Sequence, residues 1–324
     1  MTRPRVLVAE AAGFSPAAVA LLESAADVEL ADLDRPGLLR ATRDADVLWV
    51  RLRHRIDSEV MGAGQRLRAI VTPTTGLNHI DLAEAARRDV RVLSLRGEAE
   101  FLRDVRATAE HTIGLLLALL RRLPAALEHV RAGGWDRDRF KGGEIHGSMA
   151  GVVGYGRLGR RVAQYLGAFG AEVLANDVDA SVEPEGAVRM VPLGELLERS
   201  DFVLLHASHS AASHRFFGRE QFAAMKPGAL FVNTARGELV DEGALLEALE
   251  QGRLGGAALD VLADERSGGM GWHPLVALAR RRPELIITPH IGGCTAPSME
   301  RTEAFLARRL HAELMAGTLE PVAR

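Results

Sequence analysis

The stretch Met149-Ala150-Gly151-Val152-Val153-Gly154-Tyr155-Gly156-Arg157-Leu158-Gly159-Arg160 decides the fold. Its first five residues read as a buried strand, and the run from Arg160 to Phe169 reads as a helix. Three glycines lie between them in the order Gly-x-Gly-x-x-Gly. In a strand–turn–helix setting each has a task. Gly154 permits the tight turn, Gly156 lets the backbone approach a pyrophosphate, and Gly159 lets the helix pack against the strand. The helix N-terminus then offers free N–H groups and a partial positive charge to phosphates. The next strand ends Leu174-Ala175-Asn176-Asp177. Asp177 stands near the separation of about 20 residues at which a carboxylate meets the adenosine ribose hydroxyls. Val178 and Asp179 follow it, with no arginine to receive a 2′-phosphate, so the pattern predicts NAD rather than NADP.

Outward from this turn, β-rich runs alternate with helical ones. On the C-terminal side the strands are read at Ala150–Val153, Glu172–Ala175, Phe202–Leu205, Ala229–Val232, Ala257–Leu259 and Leu285–Thr288. A separate series precedes them, with strands at Val6–Ala9, Val47–Val50, Ala69–Val71 and Val90–Leu93, and helices at Pro16–Ala26 and Asp81–Arg88. A long helix is predicted from Ala107 to about Val130, kinked at Pro124. After Pro297 an amphipathic helix runs to about Met315. Alternation of this kind predicts an α/β fold with two doubly wound parallel sheets, each covered on both faces. The second domain is inserted into the first, and the last helix crosses back.

Composition narrows the function. The chain has 324 residues, 47% hydrophobic and 26% charged, with a formal net charge of -3, which favours neither nucleic acid nor anionic membrane as partner. The N-terminal apolar run is too short for a signal peptide, and Ile113–Leu120 is far too short to span a bilayer. The single cysteine, Cys294, leaves no intrachain disulfide and no cysteine cluster for a metal. These features point to the cytoplasm. No metal is expected.

Three further segments place polar residues where strands should end: Asn233–Glu238 with Arg236, Asp260–Glu265, and Thr288–Gly293 with His290. Ligands of open α/β sheets bind beyond those ends. An arginine, a carboxylate and a histidine there suit hydride transfer to a 2-oxo acid. The arginine can hold the substrate carboxylate, and the histidine can protonate the developing alkoxide. A neighbouring carboxylate would orient the histidine and favour its protonated form. Thr-Pro before His290 and Gly-Gly after it fix the backbone and leave room for a ligand. The other histidines stand in no such setting and show no zinc-like spacing.

With these motifs the chain resembles the D-isomer-specific 2-hydroxyacid dehydrogenase family. The resemblance rests on TTGLNHIDL (74–82), ATAEHTIGLLLALLRR (107–122), GVVGYGRLGRRVA (151–163), NTARGELVDEGAL (233–245), AALDVLADE (257–265) and TPHIGG (288–293). It implies a Rossmann NAD-binding domain over 106–291, inserted into a flavodoxin-like substrate domain over 1–105 plus 292–324. It also implies an NAD-dependent enzyme interconverting a small 2-oxo acid and its D-2-hydroxy acid. Arg236 matches the substrate-binding catalytic arginine, His290 the acid/base and Glu265 its carboxylate partner. Asp260 matches the carboxylate near the nicotinamide carboxamide. Arg157 and Leu158 match the pyrophosphate turn, and His206 and Thr234 the cofactor lining. Thr75 and Gly76 match the loop whose amides grip the substrate carboxylate.

Family members are typically homodimers, and Ile113–Leu120 with Trp135 could supply the contact. Departures from the family pattern are Arg266 and the glycine-rich 267–271 after Glu265, Ser208 in place of a proline, and Ser94-Leu95-Arg96-Gly97 before a lengthened loop. If the segment after Val50 is extended, Arg51, Arg53 and Arg55 share one side. With Arg96, Arg103 and Arg106 they would suit a second anionic group on the substrate. They could equally pair with nearby carboxylates or face water. Two other functions fit the same motifs: a non-catalytic NAD-sensing binding protein, and a phosphite- or formate-type dehydrogenase. Glu265, where formate enzymes usually carry glutamine, weighs against the latter.

Overall fold

In the computed structural model, which describes residues 3–265 and 269–319, the chain divides into two compact units. The first holds Met1–Val105 and Thr295–Arg324, the second Arg106–Cys294. Part of the glycine-rich segment after Glu265, residues 266–268, lies outside the described residues.

The first unit is built on β1 (Arg5–Val8), β2 (Asp27–Leu30), β3 (Val47–Trp49), β4 (Ala69–Thr72) and β5 (Arg91–Ser94). They form a parallel sheet in the order β2-β1-β3-β4-β5. The order reverses between β1 and β3. β2 was not expected from the sequence, because Asp27-Val28-Glu29-Leu30 is an exposed edge strand with no apolar run. Helices start at side-chain caps: Ser15 accepts from the Ala18 amide before Pro16–Glu23, and Asp81 from the Glu84 amide before Leu82–Arg87. The C-terminal helix Ala296–Met315 is capped by Thr295, with proline in its first turn. It packs Leu306, Ala307 and Leu310 against Val6, Val8, Trp49 and Val71. Burial of those side chains is what returns the last segment to the first unit.

The second unit contains β6 (Met149–Val153), β7 (Glu172–Asn176), β8 (Arg189–Met190), β9 (Phe202–Leu205), β10 (Leu230–Asn233), β11 (Gly256–Leu259) and β12 (Leu285–Ile287). Its sheet runs β12-β11-β10-β9-β6-β7-β8, all parallel. The switch point lies between β6 and β9. The expected long helix is two helices. Ala107–Leu120 ends, Arg122 turns left-handed at φ 51°, and Leu123–Arg131 begins with Pro124 in its first turn. A proline is tolerated there but not in a helix interior, so the chain breaks rather than kinks. Ile113, Leu115, Leu116 and Leu119 pack against Val152, Val162, Ala163 and Leu166. The apolar segment expected at a dimer contact is therefore core.

Candidate active site

At the switch point of the second sheet the glycine turn follows β6. Gly154 has φ 91°, and a Cβ there would lie 2.5 Å from the Ala207 nitrogen and 2.6 Å from the His206 carbonyl carbon. Only glycine fits between the turn and the segment after β9. A Cβ on Gly159 would meet the Gly154 carbonyl oxygen at 2.0 Å, which explains the close helix. At Gly156 a Cβ would have open space around it. Gly156 caps the helix Arg157–Ala168 with no side-chain bond to the first-turn amides, so their dipole faces the turn. Burial, and then the neighbouring Arg161, push the Arg157 guanidinium down from its ordinary value. An anion beside Arg157 would offset both. Leu158, also in this first turn, packs against the core of the second unit.

Asp177 follows β7. Its Oδ2 accepts from the Tyr155 amide at 2.7 Å and its Oδ1 from the Asp179 amide at 3.0 Å. The carboxylate is thus fixed beside the glycine turn, and each oxygen retains a second lone pair for a hydroxyl donor. We expect a preference for NAD(H), because a 2′-phosphate at Asp177 would meet like charge. Asp177→Ala should narrow the gap in kcat/KM between NADH and NADPH. Equal kcat/KM for the two in the unaltered protein would contradict this.

His206 follows β9. Both of its ring nitrogens are shielded from solvent and have no hydrogen-bond partner among the described residues, although part of the residue's surface is open. Two orphaned polar atoms beside a glycine cradle fit a bound dinucleotide. Burial pushes the imidazole down to about 4 from 6.5. Between those values the unfolded chain binds a proton that the folded one refuses. Stability is therefore full above about pH 6.5 and falls as pH drops toward 4, by at most roughly 3 kcal/mol at about 1.4 kcal/mol per pKa unit. In urea unfolding of nucleotide-free protein at pH 7 and pH 5, His206→Gln should lose less stability on acidification than wild type. Equal losses would remove His206 from this role.

The remaining candidates follow three adjacent strands, β10, β11 and β12. After β10, Asn233 accepts from the Ala235 amide and donates to the Arg236 carbonyl at 2.9 Å each. This folds the turn that presents Arg236, whose side chain is half-buried. Thr234 is buried, with its hydroxyl 2.7 Å from that of Thr112. After β11 comes Asp260, only 2% exposed. Its Oδ1 accepts from Thr288 Oγ1 at 2.6 Å and the Ile291 amide at 2.9 Å, and its Oδ2 from the Gly292 amide at 2.7 Å. Asp260 thereby holds the turn after β12. That turn carries His290 at φ 54°, a left-handed conformation that is uncommon for a side chain of this size. His290 Nδ1 lies 2.7 Å from Glu265 Oε2, and Glu265 Oε1 accepts from the Leu262 amide at 3.0 Å.

Sequence reasoning missed His111. Its Nε2 lies 3.2 Å from Asp260 Oδ1 and 3.1 Å from Thr288 Oγ1, adding a third side chain to the network behind His290. The only local signal was its place on the polar side of an otherwise apolar helix. Among the described residues, no cluster of three or more His, Cys, Asp or Glu side chains could hold a metal ion.

In the first unit, Thr75 and Gly76 lie in the loop after β4, where Thr74 Oγ1 donates to the Gly76 carbonyl at 2.8 Å. Arg51, expected to face a substrate, is directed elsewhere. Its Nε donates to Glu303 Oε1 at 3.0 Å and its Nη1 to the Ala12 carbonyl at 2.8 Å. Glu303 is fully buried and also accepts from the Ser15 amide at 2.8 Å. Glu10 accepts from the Arg51 and Arg53 amides, and the Arg53 guanidinium pairs with Asp32 at 3.2 Å. Arg51 and Arg53 of the row after β3 are thus held by carboxylates of their own unit, at the reversal between β1 and β3.

A glycine cradle at the switch point, with a fixed carboxylate beyond the next strand, makes the second unit a dinucleotide-binding domain of the doubly wound α/β class. Residues 113–292 match the D-isomer specific 2-hydroxyacid dehydrogenase, NAD binding domain, and the chain belongs to that family. It is 36% identical over 99% of its length to D-3-phosphoglycerate dehydrogenase of Mycobacterium tuberculosis, and spans 58% of that protein. It is 34% identical to glyoxylate reductase of Thermofilum pendens, covering 97% of this chain and 92% of that one. Among solved structures, D-lactate dehydrogenase of Aquifex aeolicus complexed with NAD and lactic acid superposes with a TM-score of 0.81 at 27% identity, covering 98% and 99% of the two chains. No described helix is long and apolar enough to cross a membrane.

Proposed function

We propose that this protein is an NAD-dependent oxidoreductase that interconverts a small 2-oxo acid and its D-2-hydroxy acid, with His290 as general acid/base. The observation that carries the reading is the 2.7 Å pair of His290 Nδ1, after β12, and Glu265, after β11, the strand next to β10, which presents Arg236. Glu265 occupies Nδ1 and leaves Nε2 to give a proton to the substrate's ketone oxygen, or to take one from the hydroxyl. Arg236 would hold the substrate carboxylate through paired N–H donors. The proposal also keeps Thr75 and Gly76 as substrate-binding residues of the first unit. Gly154, Gly156, Arg157, Leu158, Gly159 and Asp177 would hold the pyrophosphate and ribose of NAD. His206 and Thr234 would line the site, and Asp260 would stand near the carboxamide. When bound, the nicotinamide supplies or accepts the hydride.

The test is turnover of NADH with a panel of 2-oxo acids, including glyoxylate, pyruvate and acids with a second carboxylate or a phosphonate. Consumption of NADH with at least one of them is the expected result. Tight NADH binding with no turnover across the panel would favour a binding protein instead.

A homodimer is part of the same proposal, with its contact placed on the helix Leu123–Arg131 rather than on Ile113–Leu120. That helix buries none of its residues. Leu123, Leu127 and Val130 lie exposed along one stripe, followed by Trp135 at 91% exposure. A patch of this kind calls for a partner. Light scattering at micromolar concentration should give twice the chain mass, and Leu127→Glu should reduce it to one chain. A monomer mass in the unaltered protein would contradict this. A cytoplasmic location accompanies the proposal and is checked by cell fractionation.

A further inference from the structure

The proposed chemistry leaves a buried ionisable pair of the second unit unused, Glu242 with His273. Glu242, the first residue of the helix Glu242–Glu250, lies with its Oε2 3.0 Å from His273 Nε2, and both side chains are largely enclosed. Its other oxygen, Oε1, accepts from the Ala263 amide at 2.7 Å. The Leu275 amide donates to His273 Nδ1 at 3.3 Å. Nδ1 is therefore an acceptor, and the ring hydrogen sits on Nε2 and donates to Glu242; this tautomer follows from the network. Burial pushes the Glu242 carboxyl up, while the Ala263 amide and His273 pull the other way. A buried carboxylate is retained only where several donors satisfy it.

These bonds converge on the turn that presents Glu265. Leu262, beside Ala263, donates its amide to Glu265 Oε1, and Glu265 Oε2 meets His290. A continuous line of hydrogen bonds thus runs from His273 through Glu242, the Leu262–Ala263 turn and Glu265 to His290. The same turn is pressed against the Arg236 segment. A Cβ on Gly237 would fall 2.0 Å from the Leu262 carbonyl carbon and 2.1 Å from the Ala263 nitrogen. The turn can neither move toward Arg236 nor withdraw without breaking the Glu242 bond.

We propose that Glu242 and His273 are positioning residues for the hydride-transfer site, bracing the 262–263 turn so that Glu265 meets His290 while Arg236 stays alongside. This inference rests on the dehydrogenase reading. Neither side chain is placed against substrate or cofactor; both act through Glu265. In Glu242→Gln one acceptor oxygen becomes an NH2 group facing either the Ala263 N–H or the His273 Nε2–H, so one bond is lost at nearly constant volume.

The test has two readouts. In kinetics, Glu242→Gln should lower kcat about 10- to 100-fold, as small misplacements of reacting groups do, with KM for NADH changed less than about twofold. In a Glu265→Gln background the same substitution should cost less than about twofold, because residues acting through one another are not additive. His273→Gln retains a donor toward Glu242 and should keep most of kcat. His273→Asn retains only the acceptor for the Leu275 amide and should lose about as much as Glu242→Gln. Equal factors in both Glu265 backgrounds, or a KM rise that accounts for the loss, would overturn the brace. In amide hydrogen exchange on nucleotide-free protein, both Glu242→Gln and His273→Asn should speed exchange over 261–265 relative to the turn at 290–292. Unchanged exchange would overturn it even if the wild type turned over no 2-oxo acid, an outcome that would sink the dehydrogenase reading separately. If Glu242→Gln fails to fold, the contrast between the two His273 variants decides.

Discussion

His290→Asn is expected to lower kcat for 2-oxo acid reduction by about 10²- to 10⁴-fold, the range that a positioned acid or base contributes. Asparagine is the informative replacement. His290 sits at φ 54°, and asparagine is among the few residues that adopt left-handed backbone readily. The turn held by Asp260 through the Ile291 and Gly292 amides should therefore survive. What is lost is the titratable ring that Glu265 orients at 2.7 Å. NADH affinity, followed by quenching of protein fluorescence, should stay within about threefold, since the proposed dinucleotide contacts lie after β6, β7, β9, β10 and β11 and the Asp260 bonds to the Ile291 and Gly292 amides are kept. A variant that kept kcat within about threefold would show that the proton comes from elsewhere.

The second large effect concerns stability. Arg51→Ala should cost about 3–5 kcal/mol, the usual result of stripping the partner from a buried ion. Glu303 is 0% exposed, and its Oε1 depends on Arg51, itself only 17% exposed. The Ser15 amide alone would remain on the carboxylate. The loss should appear as a lowered urea midpoint for the first unit. Replacing both members, Arg51→Met with Glu303→Leu, should recover much of it, because two apolar side chains need no pairing. A loss below about 1 kcal/mol for Arg51→Ala would mean that water reaches Glu303. A KM increase confined to dianionic substrates, at unchanged stability, would restore Arg51 as a substrate residue.

The contrast between these two sites shows what the sequence could carry. The strand-end turn that carries His290 was readable because its setting is local: a proline before it and two glycines after it. The glycine turn was readable for the same reason, since its three glycines stand directly between a strand and a helix and Gly159 answers to the Gly154 carbonyl. Arg51 was left open between a substrate and a carboxylate because its partner is 252 positions away on the last helix. His111 was passed over because Asp260 and Thr288, 149 and 177 positions distant, give it its place. Strands with apolar runs, such as Ile70–Val71 and Phe202–Leu205, announced themselves. β2 did not, since an edge strand that faces water needs no such run. At Pro124 the residue was identified but its consequence was not. A proline marks a helix start as readily as an interruption, and only the left-handed Arg122 shows which occurred.

The most direct test of the central claim is the stoichiometry and configuration of the product. The protein is incubated with NADH and the best prochiral 2-oxo acid of the panel, and the 2-hydroxy acid is resolved on a chiral column. One D-2-hydroxy acid formed per NADH consumed, with formation suppressed in His290→Asn, is the predicted result. An L product, or NADH bound but never consumed across the panel, would contradict the account.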